Sequence, residues 1–209
     1  MESLGPARYL AISGNIGTGK STLIEFLTQH FSIRPLFEPN EQNPFIADFY
    51  ADMPRWAFHS QVFFLIQKFK LHQEMANASS PVVLDRTIYE DAEIFATNLA
   101  RTGILSGREY ETYWSLYQTL VALLRPPDLL IYLRCSLDTI RRRIAQRGRP
   151  EERALPDDYL KRLNRLYDRW FTRYDRSPTI VIRTDRIDYV SDLVDQVEMI
   201  KTVERVLLR

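Results

Sequence analysis

The sequence predicts an α/β fold in which a five-stranded parallel sheet carries helices on both of its faces. Short apolar runs of strand length alternate along the chain with longer stretches whose apolar residues recur at helical spacing. A glycine-rich segment joins the first strand-like run directly to the first helical stretch. Alternation of this kind implies right-handed crossovers between parallel strands. Ligands are therefore expected at the carboxyl ends of the strands.

Five apolar runs are predicted as strands, and each lies next to a predicted helix. The runs Pro-Val-Val-Leu, Asp-Leu-Leu-Ile-Tyr-Leu and Thr-Ile-Val-Ile supply three of them, and the second strand is shorter than the others. The predicted strands are 8–13, 35–37, 81–84, 128–133 and 179–182.

The predicted helices begin with 21–31, where Leu23, Ile24, Leu27 and Phe31 recur at helical spacing. A pair of prolines at 126–127 ends another helix before the fourth strand. The remaining predicted helices are 44–50, 54–78, 89–101, 106–124, 137–146, 156–174 and 189–207.

Length and composition suit one globular domain over residues 1–209. Lys and Arg together number 28 and Asp and Glu 27, which gives a net charge of +1. This balance gives no reason to expect affinity for nucleic acid or for anionic membrane. The single cysteine, Cys135, cannot form an internal disulfide, and the sequence has no apolar run of about 18 residues. We therefore expect a cytoplasmic protein that acts on a small molecule.

Residues 14–21 have the spacing Gly-x-x-x-x-Gly-Lys-Ser of a phosphate-binding P-loop, between a strand and a helix. Glycines let the backbone wrap around a polyphosphate, so that N–H groups face its anionic oxygens. Lys20 is expected to contact the β- and γ-phosphates, and the Ser21 hydroxyl to ligate Mg²⁺. The alternative, a glycine-rich turn with an incidental lysine, fits the full spacing poorly. The residues predicted to bind ATP here are Gly14, Asn15, Ile16, Gly17, Thr18, Gly19, Lys20, Ser21 and Thr22.

Carboxylates and an arginine follow the second and third predicted strands, at the edge where ligands are expected. Asp85 is predicted to hold Mg²⁺ directly or through water, and Arg86 to steady an acceptor oxygen with its fork of donors. Glu38 is a candidate general base for the acceptor hydroxyl. The alternative for Asp85 and Arg86 is a helix-start cap with a surface ion pair. Glu38 alone would be an ordinary loop glutamate.

Arginines surround a glycine after the helix predicted at 137–146, which predicts a mobile lid over about 147–155. Arg143, Arg147 and Arg149 are spaced by four and by two residues. They are predicted to converge on the γ-phosphate and to stabilise transition-state charge as the lid closes. Arg141 and Arg142 fit a solvated basic helix end instead.

The amide Gln61 lies among aromatic and apolar residues of the helix predicted at 54–78. Aromatic residues at helical spacing usually belong to the core. A buried amide, however, needs hydrogen-bond partners. The edge of a purine or pyrimidine offers them, because an amide presents a donor and an acceptor side by side.

Together these motifs resemble the deoxynucleoside kinase family, most closely its bacterial deoxyadenosine/deoxycytidine kinase branch. The resemblance covers nearly the whole chain and rests on the segments 14–22, 38–44, 49–50, 55–65, 85–91 and 147–152. It implies the P-loop kinase fold with an arginine-rich lid. It also implies an enzyme of nucleotide salvage that uses Mg²⁺ and ATP to phosphorylate the 5′-hydroxyl of a deoxynucleoside. Members are typically homodimers, joined through helices corresponding to about 43–101.

The resemblance also implies roles for single residues on the acceptor side. Glu38 matches the base that acts on the 5′-hydroxyl, Arg86 the residue that positions it, and Asp85 a residue of the magnesium site. Gln61 matches a residue that reads the base edge. The remaining matches are Tyr50 and Glu152 for the 3′-hydroxyl, Phe95 for base stacking, and Arg143, Arg147 and Arg149 for the lid.

Lys68 and Asp91 match a charged pair that lines the base pocket of members favouring adenine, guanine or cytosine, with lysine replacing the more usual arginine. A charged pair argues against a roomy apolar pocket for a thymine methyl group. The resemblance therefore favours deoxyadenosine or deoxycytidine, with deoxyguanosine next.

Two other functions remain open from the sequence. A nucleoside monophosphate kinase of the thymidylate type would also have a P-loop and an arginine lid, but its phosphorylated acceptor should require basic residues near Glu38, and 38–52 contains none. A noncatalytic nucleotide-binding member of the same family is the second possibility. A GTPase is disfavoured because no Asn-Lys-x-Asp sequence is present.

Overall fold

The computed structural model describes residues 9–37, 42–149, 152, 155–187 and 192–207. Its strands form one five-stranded sheet in the order β2-β3-β1-β4-β5, and all neighbouring strands pair in parallel. The strands are β1 (Tyr9–Ser13), β2 (Arg34–Leu36), β3 (Val82–Asp85), β4 (Leu129–Arg134) and β5 (Thr179–Arg183). The predicted parallel sheet is confirmed, with strand ends shifted by one residue in most cases.

One or more helices lie between successive strands, as the alternating pattern predicts, and a further helix follows the last strand. They are α1 (Lys20–His30), α2 (Ile46–Ala51), α3 (Met53–Ala76), α4 (Ile88–Glu90), α5 (Thr97–Arg101), α6 (Gly107–Val121), α7 (Leu137–Arg147), α8 (Asp157–Phe171) and α9 (Leu193–Leu207). The first residues of the predicted helix 189–207 lie outside the described residues. Among the described helices, none combines the length and apolar character needed to cross a membrane.

Side-chain caps fix helix starts that apolar spacing alone leaves loose. The Asp52 side chain accepts a hydrogen bond from Arg55 N and begins α3. Ser106 and Glu109 form a capping box that begins α6. Such caps satisfy N–H groups that have no partner inside the helix.

The sheet divides two apolar clusters, because alternate residues of a strand face opposite sides. Tyr9 and Ala11 of β1 belong to a cluster that includes residues of α3, α6 and α8. Leu10 and Ile12 belong to the other cluster, with residues of α1 and α9. Every residue of β1 and β3 is buried, which is typical of central parallel strands covered on both faces.

A π-helical segment, Asp91–Ala96, joins α4 to α5 and was not predicted. The Thr97 hydroxyl donates to Ala92 O, five residues earlier, at 2.9 Å. Segments of this kind occur frequently at functional sites. Here the segment carries Asp91 and Phe95, both predicted to contact substrate.

His72 of α3 is buried against β1, and its ring packs edge-on against Tyr9 at 5.4 Å between ring centroids. Burial and, to a smaller extent, the nearby positive charge of Lys68 together lower the pKa of His72 to about 3. The imidazole is therefore neutral in the folded protein at neutral pH.

His72→Phe is expected to remove part of the protein's sensitivity to acid. A histidine whose pKa is lowered on folding contributes stability above its unfolded pKa of about 6.5, and that contribution is lost as the pH falls towards 3. From pH 7 to pH 5 the free energy of unfolding should fall by about 2 kcal/mol more in the original protein than in the variant. Urea unfolding at both pH values measures this difference.

His59→Phe is the control, because His59 is exposed on the same helix. It should keep the pH dependence of the original protein. An unchanged acid sensitivity in His72→Phe would contradict the burial argument.

Candidate functional site

The carboxyl ends of β1 and β3 lie side by side, as the parallel pairing requires. Ile12 of β1 pairs with Asp85 of β3, and Arg86 N donates to Ile12 O at 3.0 Å. The glycine loop leaves β1 at this point, and the Asp-Arg pair leaves β3. The structure therefore brings these two predicted halves of the site to the same edge of the sheet.

The glycine loop passes so close to the sheet that one position excludes a side chain. A Cβ at Gly14 would lie 2.6 Å from Leu133 O and 2.7 Å from the Thr18 hydroxyl oxygen, and Gly14 has φ +146°. Gly19, at the N-terminus of α1, is left-handed with φ 97°. The glycines of the motif therefore meet the backbone requirements of this loop.

The Lys20 ammonium lies against the glycine loop. Its Nζ donates to Gly14 O and to Asn15 O, both at 2.9 Å, and the side chain is largely buried. Ser21 and Thr22 follow in the first turn of α1. The loop therefore offers a cation and a helix N-terminus on the same side, an arrangement that suits a polyphosphate.

A polar network holds the loop from the opposite side. The Asn15 amide donates to Leu160 O at 3.2 Å and to Asn164 Oδ1 at 2.5 Å, which ties the loop to α8. The amide oxygen accepts from Ile16 N at 2.8 Å. These bonds explain how a buried asparagine is satisfied at this position.

Arg143 belongs to this supporting network. Its guanidinium donates to Thr18 O at 3.0 Å and to the Thr184 hydroxyl at 2.9 Å, and a second nitrogen donates to Thr184 O at 2.6 Å. Arg143 therefore contacts the backbone of the glycine loop. Its predicted role at the γ-phosphate stays a prediction.

Asp85 ends β3 and is 8% exposed. Its Oδ1 atom is buried and has no hydrogen-bond partner among the described residues. A buried carboxylate oxygen without a partner is costly. An oxygen in this state, next to the glycine loop, fits a ligand of Mg²⁺ or of magnesium-bound water.

Arg86 follows in a left-handed conformation with φ 59°, which is uncommon for a residue other than glycine. Its guanidinium carbon lies 4.9 Å from the centroid of the Phe95 ring. The unusual backbone angle turns the chain between β3 and α4. Left-handed residues of this kind cluster at functional sites.

Lys68 supports this turn from α3. The side chain is 1% exposed, and its Nζ donates to Asp85 O at 2.5 Å and to Arg86 O at 3.3 Å. A cation at these two carbonyl oxygens stabilises the backbone that presents the Asp85 and Arg86 side chains. The predicted place of Lys68 in a base pocket is not tested by these bonds.

The other predicted acceptor residues lie on α2, α3 and the π-helical segment. Gln61 is buried on α3, two turns before Lys68 and on the same face. Asp91 is buried on the π-helical segment, which packs against α3. Tyr50 of α2 is 39% exposed. Burial raises the pKa of the Tyr159 hydroxyl. The nearby Tyr50 raises that pKa further, and the nearby positive charge of Arg86 lowers it.

The predicted lid is described only in part. Helix α7 ends at Arg147, and Gly148 follows in a left-handed conformation with φ 77°. Glu152 forms an ion pair with Arg147 and lies 3.5 Å from Arg149. Residues 150–151 and 153–154 lie outside the described residues, as does Glu38.

Glu90 is a residue of this site that sequence reasoning missed. Its Oε2 accepts from Thr87 N at 2.8 Å and from the Thr87 hydroxyl at 3.2 Å. Its Oε1 accepts from Gly14 N at 3.4 Å and from the Tyr167 hydroxyl at 3.1 Å. The Thr-x-x-Glu spacing of a capping box at 87–90 is a sequence signal for the bonds between Glu90 and Thr87, but not for those to Gly14 and Tyr167.

Comparison with known proteins gives a consistent result. A family model described as deoxynucleoside kinase matches residues 10–208. A deoxyadenosine/deoxycytidine kinase of Bacillus subtilis (strain 168) is 35% identical over 196 residues, 90% of each chain. A deoxyguanosine kinase of Lactobacillus acidophilus is 38% identical, over 90% of this chain and 85% of the relative. A solved deoxyadenosine kinase of M. mycoides with bound dATP superposes with a TM-score of 0.80 at 30% identity, over 95% of this chain and 99% of that one.

Lys68→Met should destabilise the fold, because it leaves the carbonyl oxygens of Asp85 and Arg86 without the ammonium donor. The expected loss is about 1–3 kcal/mol in the free energy of unfolding. Urea unfolding measures it. Lys70→Met is the control, since Lys70 is exposed on the same helix, and it should change stability by less than about 0.5 kcal/mol. Equal stability of the two variants would contradict the support that we assign to Lys68.

Proposed function

The chain belongs to the deoxynucleoside kinase family, and from this membership we propose that it transfers the γ-phosphoryl group of ATP to the 5′-hydroxyl of deoxyadenosine or deoxycytidine, with deoxyguanosine next. Phosphorylation of a deoxynucleoside follows from the family itself. The base preference is the specific part of the proposal. The observation that carries the reaction is the contact between the two strand ends, where Arg86 N meets Ile12 O beside the glycine loop.

On the donor side, the glycine loop binds the phosphates of ATP through its N–H groups, and Lys20 contacts the β- and γ-phosphates. A phosphate in the loop would replace Gly14 O and Asn15 O as partners of the ammonium. Ser21 and Asp85 are the residues that would hold Mg²⁺, which neutralises charge between the transferred and leaving groups. The buried Oδ1 of Asp85, which has no partner among the described residues, supports this assignment.

On the acceptor side, Arg86 positions the 5′-hydroxyl and Glu38 accepts its proton. Phosphoryl transfer depends mainly on positioning and charge neutralisation, so the base needs only to lie within hydrogen-bond reach. In sequence, Glu38 follows β2 by two residues, and β2 ends beside β3, with Leu36 paired to Leu84. This register supports a position for Glu38 at the same edge of the sheet as Arg86.

The base preference rests on the buried polar residues of α3 and the π-helical segment. Gln61 offers an amide to the base edge, and Phe95 offers an aromatic face. In this proposal Lys68 and Asp91 add charge beside the base, which would disfavour a thymine methyl group. Relatives described as kinases of deoxyadenosine, deoxycytidine and deoxyguanosine support the same preference.

The lid closes over the phosphates in this proposal. Arg147 and Arg149 are ion-paired with Glu152, and they would exchange this carboxylate for phosphate oxygens when ATP binds. Glu152 then joins Tyr50 at the 3′-hydroxyl of the sugar. Arg143 supports the loop through Thr18 O. We also propose a homodimer in the cytoplasm without nucleic-acid or membrane partners, in keeping with the net charge of +1.

An initial-rate assay with Mg-ATP tests the proposal directly. The acceptors are deoxyadenosine, deoxycytidine, deoxyguanosine, thymidine and the deoxynucleoside monophosphates. We expect turnover of deoxyadenosine or deoxycytidine, weaker turnover of deoxyguanosine, and little turnover of thymidine. Turnover of monophosphates alone would assign the chain to a monophosphate kinase. ATP binding without any turnover would identify a noncatalytic member.

Glu38→Gln should lower kcat by about 10²–10⁴-fold, because the amide cannot accept the proton of the 5′-hydroxyl. ATP binding, measured by calorimetry without nucleoside, should be unchanged.

Lys20→Ala, in contrast to Glu38→Gln, should weaken both ATP binding and turnover. Glu25→Gln, at an exposed position of α1, is the matched control and should behave as the original protein. Full turnover in Glu38→Gln would remove Glu38 from the base role.

A further inference from the structure

We propose that Glu90 is a positioning residue that fixes the glycine loop and the Asp85–Arg86 turn at the separation that phosphoryl transfer requires. Its side chain is 0% exposed, and its two carboxylate oxygens bind groups from different parts of the site. Oε1 accepts from Gly14 N, at the start of the glycine loop. Oε2 accepts from Thr87 N, directly after Arg86. One rigid carboxylate therefore bridges the donor loop and the acceptor loop.

A third element joins the same carboxylate. The Tyr167 hydroxyl on α8 donates to Oε1 at 3.1 Å and also hydrogen-bonds with the Arg86 side chain. Helix α8 follows the predicted lid in sequence and holds the glycine loop through Leu160 O and Asn164. Glu90 thus lies where the two loops and α8 meet.

Positive charges from both loops surround Glu90. Burial is the largest influence and leaves the pKa of Glu90 raised, although the hydrogen bond from Thr87 and the positive charges of Arg86, Lys20 and Lys68 lower it. Lys20 belongs to the donor side and Arg86 to the acceptor side. A carboxylate between these cations reduces their mutual repulsion as well as binding the two backbones.

The geometry makes glutamine a sharp test of the bridge. An amide keeps one acceptor oxygen and replaces the other with an N–H₂ donor. The hydroxyl groups of Thr87 and Tyr167 can rotate to accept from that donor. The backbone N–H groups of Gly14 and Thr87 can only donate, so either orientation of the amide leaves one of them facing a donor. Glu90→Gln therefore breaks the bridge at one loop or the other with almost no change in volume.

We expect Glu90→Gln to lower kcat for the preferred deoxynucleoside by about 10–100-fold, because a shift of about 1 Å between reacting groups can cost 10²-fold in rate. The KM values for ATP and nucleoside should stay within about threefold, because Glu90 is fully buried and contacts neither substrate. The residues proposed to bind ATP and the nucleoside are unchanged in this variant. Steady-state kinetics with each substrate varied in turn measures this split. Urea unfolding establishes that the variant is folded under the assay conditions.

Glu93→Gln is the matched control. Glu93 lies three residues later on the π-helical segment and accepts hydrogen bonds from the Tyr117 hydroxyl and Trp170 Nε1. Its described partners lie on α6, on α8 and at Arg176, away from both loops. The same change of carboxylate to amide should leave kcat within about twofold. An equal loss of kcat in both variants, or none in Glu90→Gln, would overturn the proposal.

A second pair of variants tests the bridge if Glu90→Gln does not fold. Tyr167→Phe keeps the buried ring but removes the hydroxyl that binds both Glu90 and the Arg86 side chain, and we expect kcat to fall several-fold at nearly constant KM. Tyr113→Phe is its control, because the buried Tyr113 hydroxyl has no hydrogen-bond partner among the described residues. Full activity of Tyr167→Phe, or equal losses in the two variants, would count against the bridge.

This inference rests on the proposed phosphoryl transfer, and a different experimental result would contradict each of them. If the original protein phosphorylates no deoxynucleoside, the proposed function fails. If the original protein is active and Glu90→Gln equals it, only the role of Glu90 fails.

Discussion

The parallel pairing of β1 with β3 is the constraint on which the site depends. It places Asp85 opposite Ile12, and the hydrogen bond from Arg86 N to Ile12 O continues the pairing just beyond the end of β3. Both strands are fully buried, so a shift of register would disrupt the packing of their side chains in the apolar clusters on both faces of the sheet. The apolar core therefore fixes the relative position of the two polar loops.

Beyond the last strand pair, buried charged side chains continue what backbone pairing begins. Parallel strands leave N–H and C=O groups unpaired where they end, and buried backbone groups need partners. Lys68 donates to the carbonyl oxygens of Asp85 and Arg86, and Glu90 accepts from the N–H groups of Gly14 and Thr87. These two residues of opposite charge each bind backbone groups of the opposite polarity. Such bonds explain how both charges are tolerated in the interior.

The two predicted contributions to ATP binding differ in how firmly they are held. The glycine loop is tied to α8 through Asn15 and to α7 through Arg143. The described lid residues Arg147, Arg149 and Glu152 pair with one another, and both arginines are at least a third exposed. Exposed ion pairs contribute little to stability and exchange partners readily. A firm loop with exchangeable arginines beside it suits a site in which closure accompanies ATP binding.

The sequence by itself determined the strand–loop–helix motif, the five strands and the edge of the sheet where the Asp-Arg pair lies. These features depend on local periodicity and on short motifs, which a single stretch of chain carries completely. Gly14 and Gly19 were also readable, because their backbone angles are imposed within the loop.

Only the tertiary structure decided what the buried polar side chains bind. The base-pocket role of Lys68 and the lid role of Arg143 stay predictions, and the structure adds bonds that the sequence does not indicate. Lys68 donates to carbonyl oxygens that lie 17 and 18 residues further along the chain. Arg143 donates to Thr18 O, 125 residues earlier. Glu90 accepts hydrogen bonds from Gly14 and Tyr167, which lie 76 and 77 residues away in the sequence. A long polar side chain reaches several possible partners, and the packing of distant elements, which local sequence does not specify, selects among them.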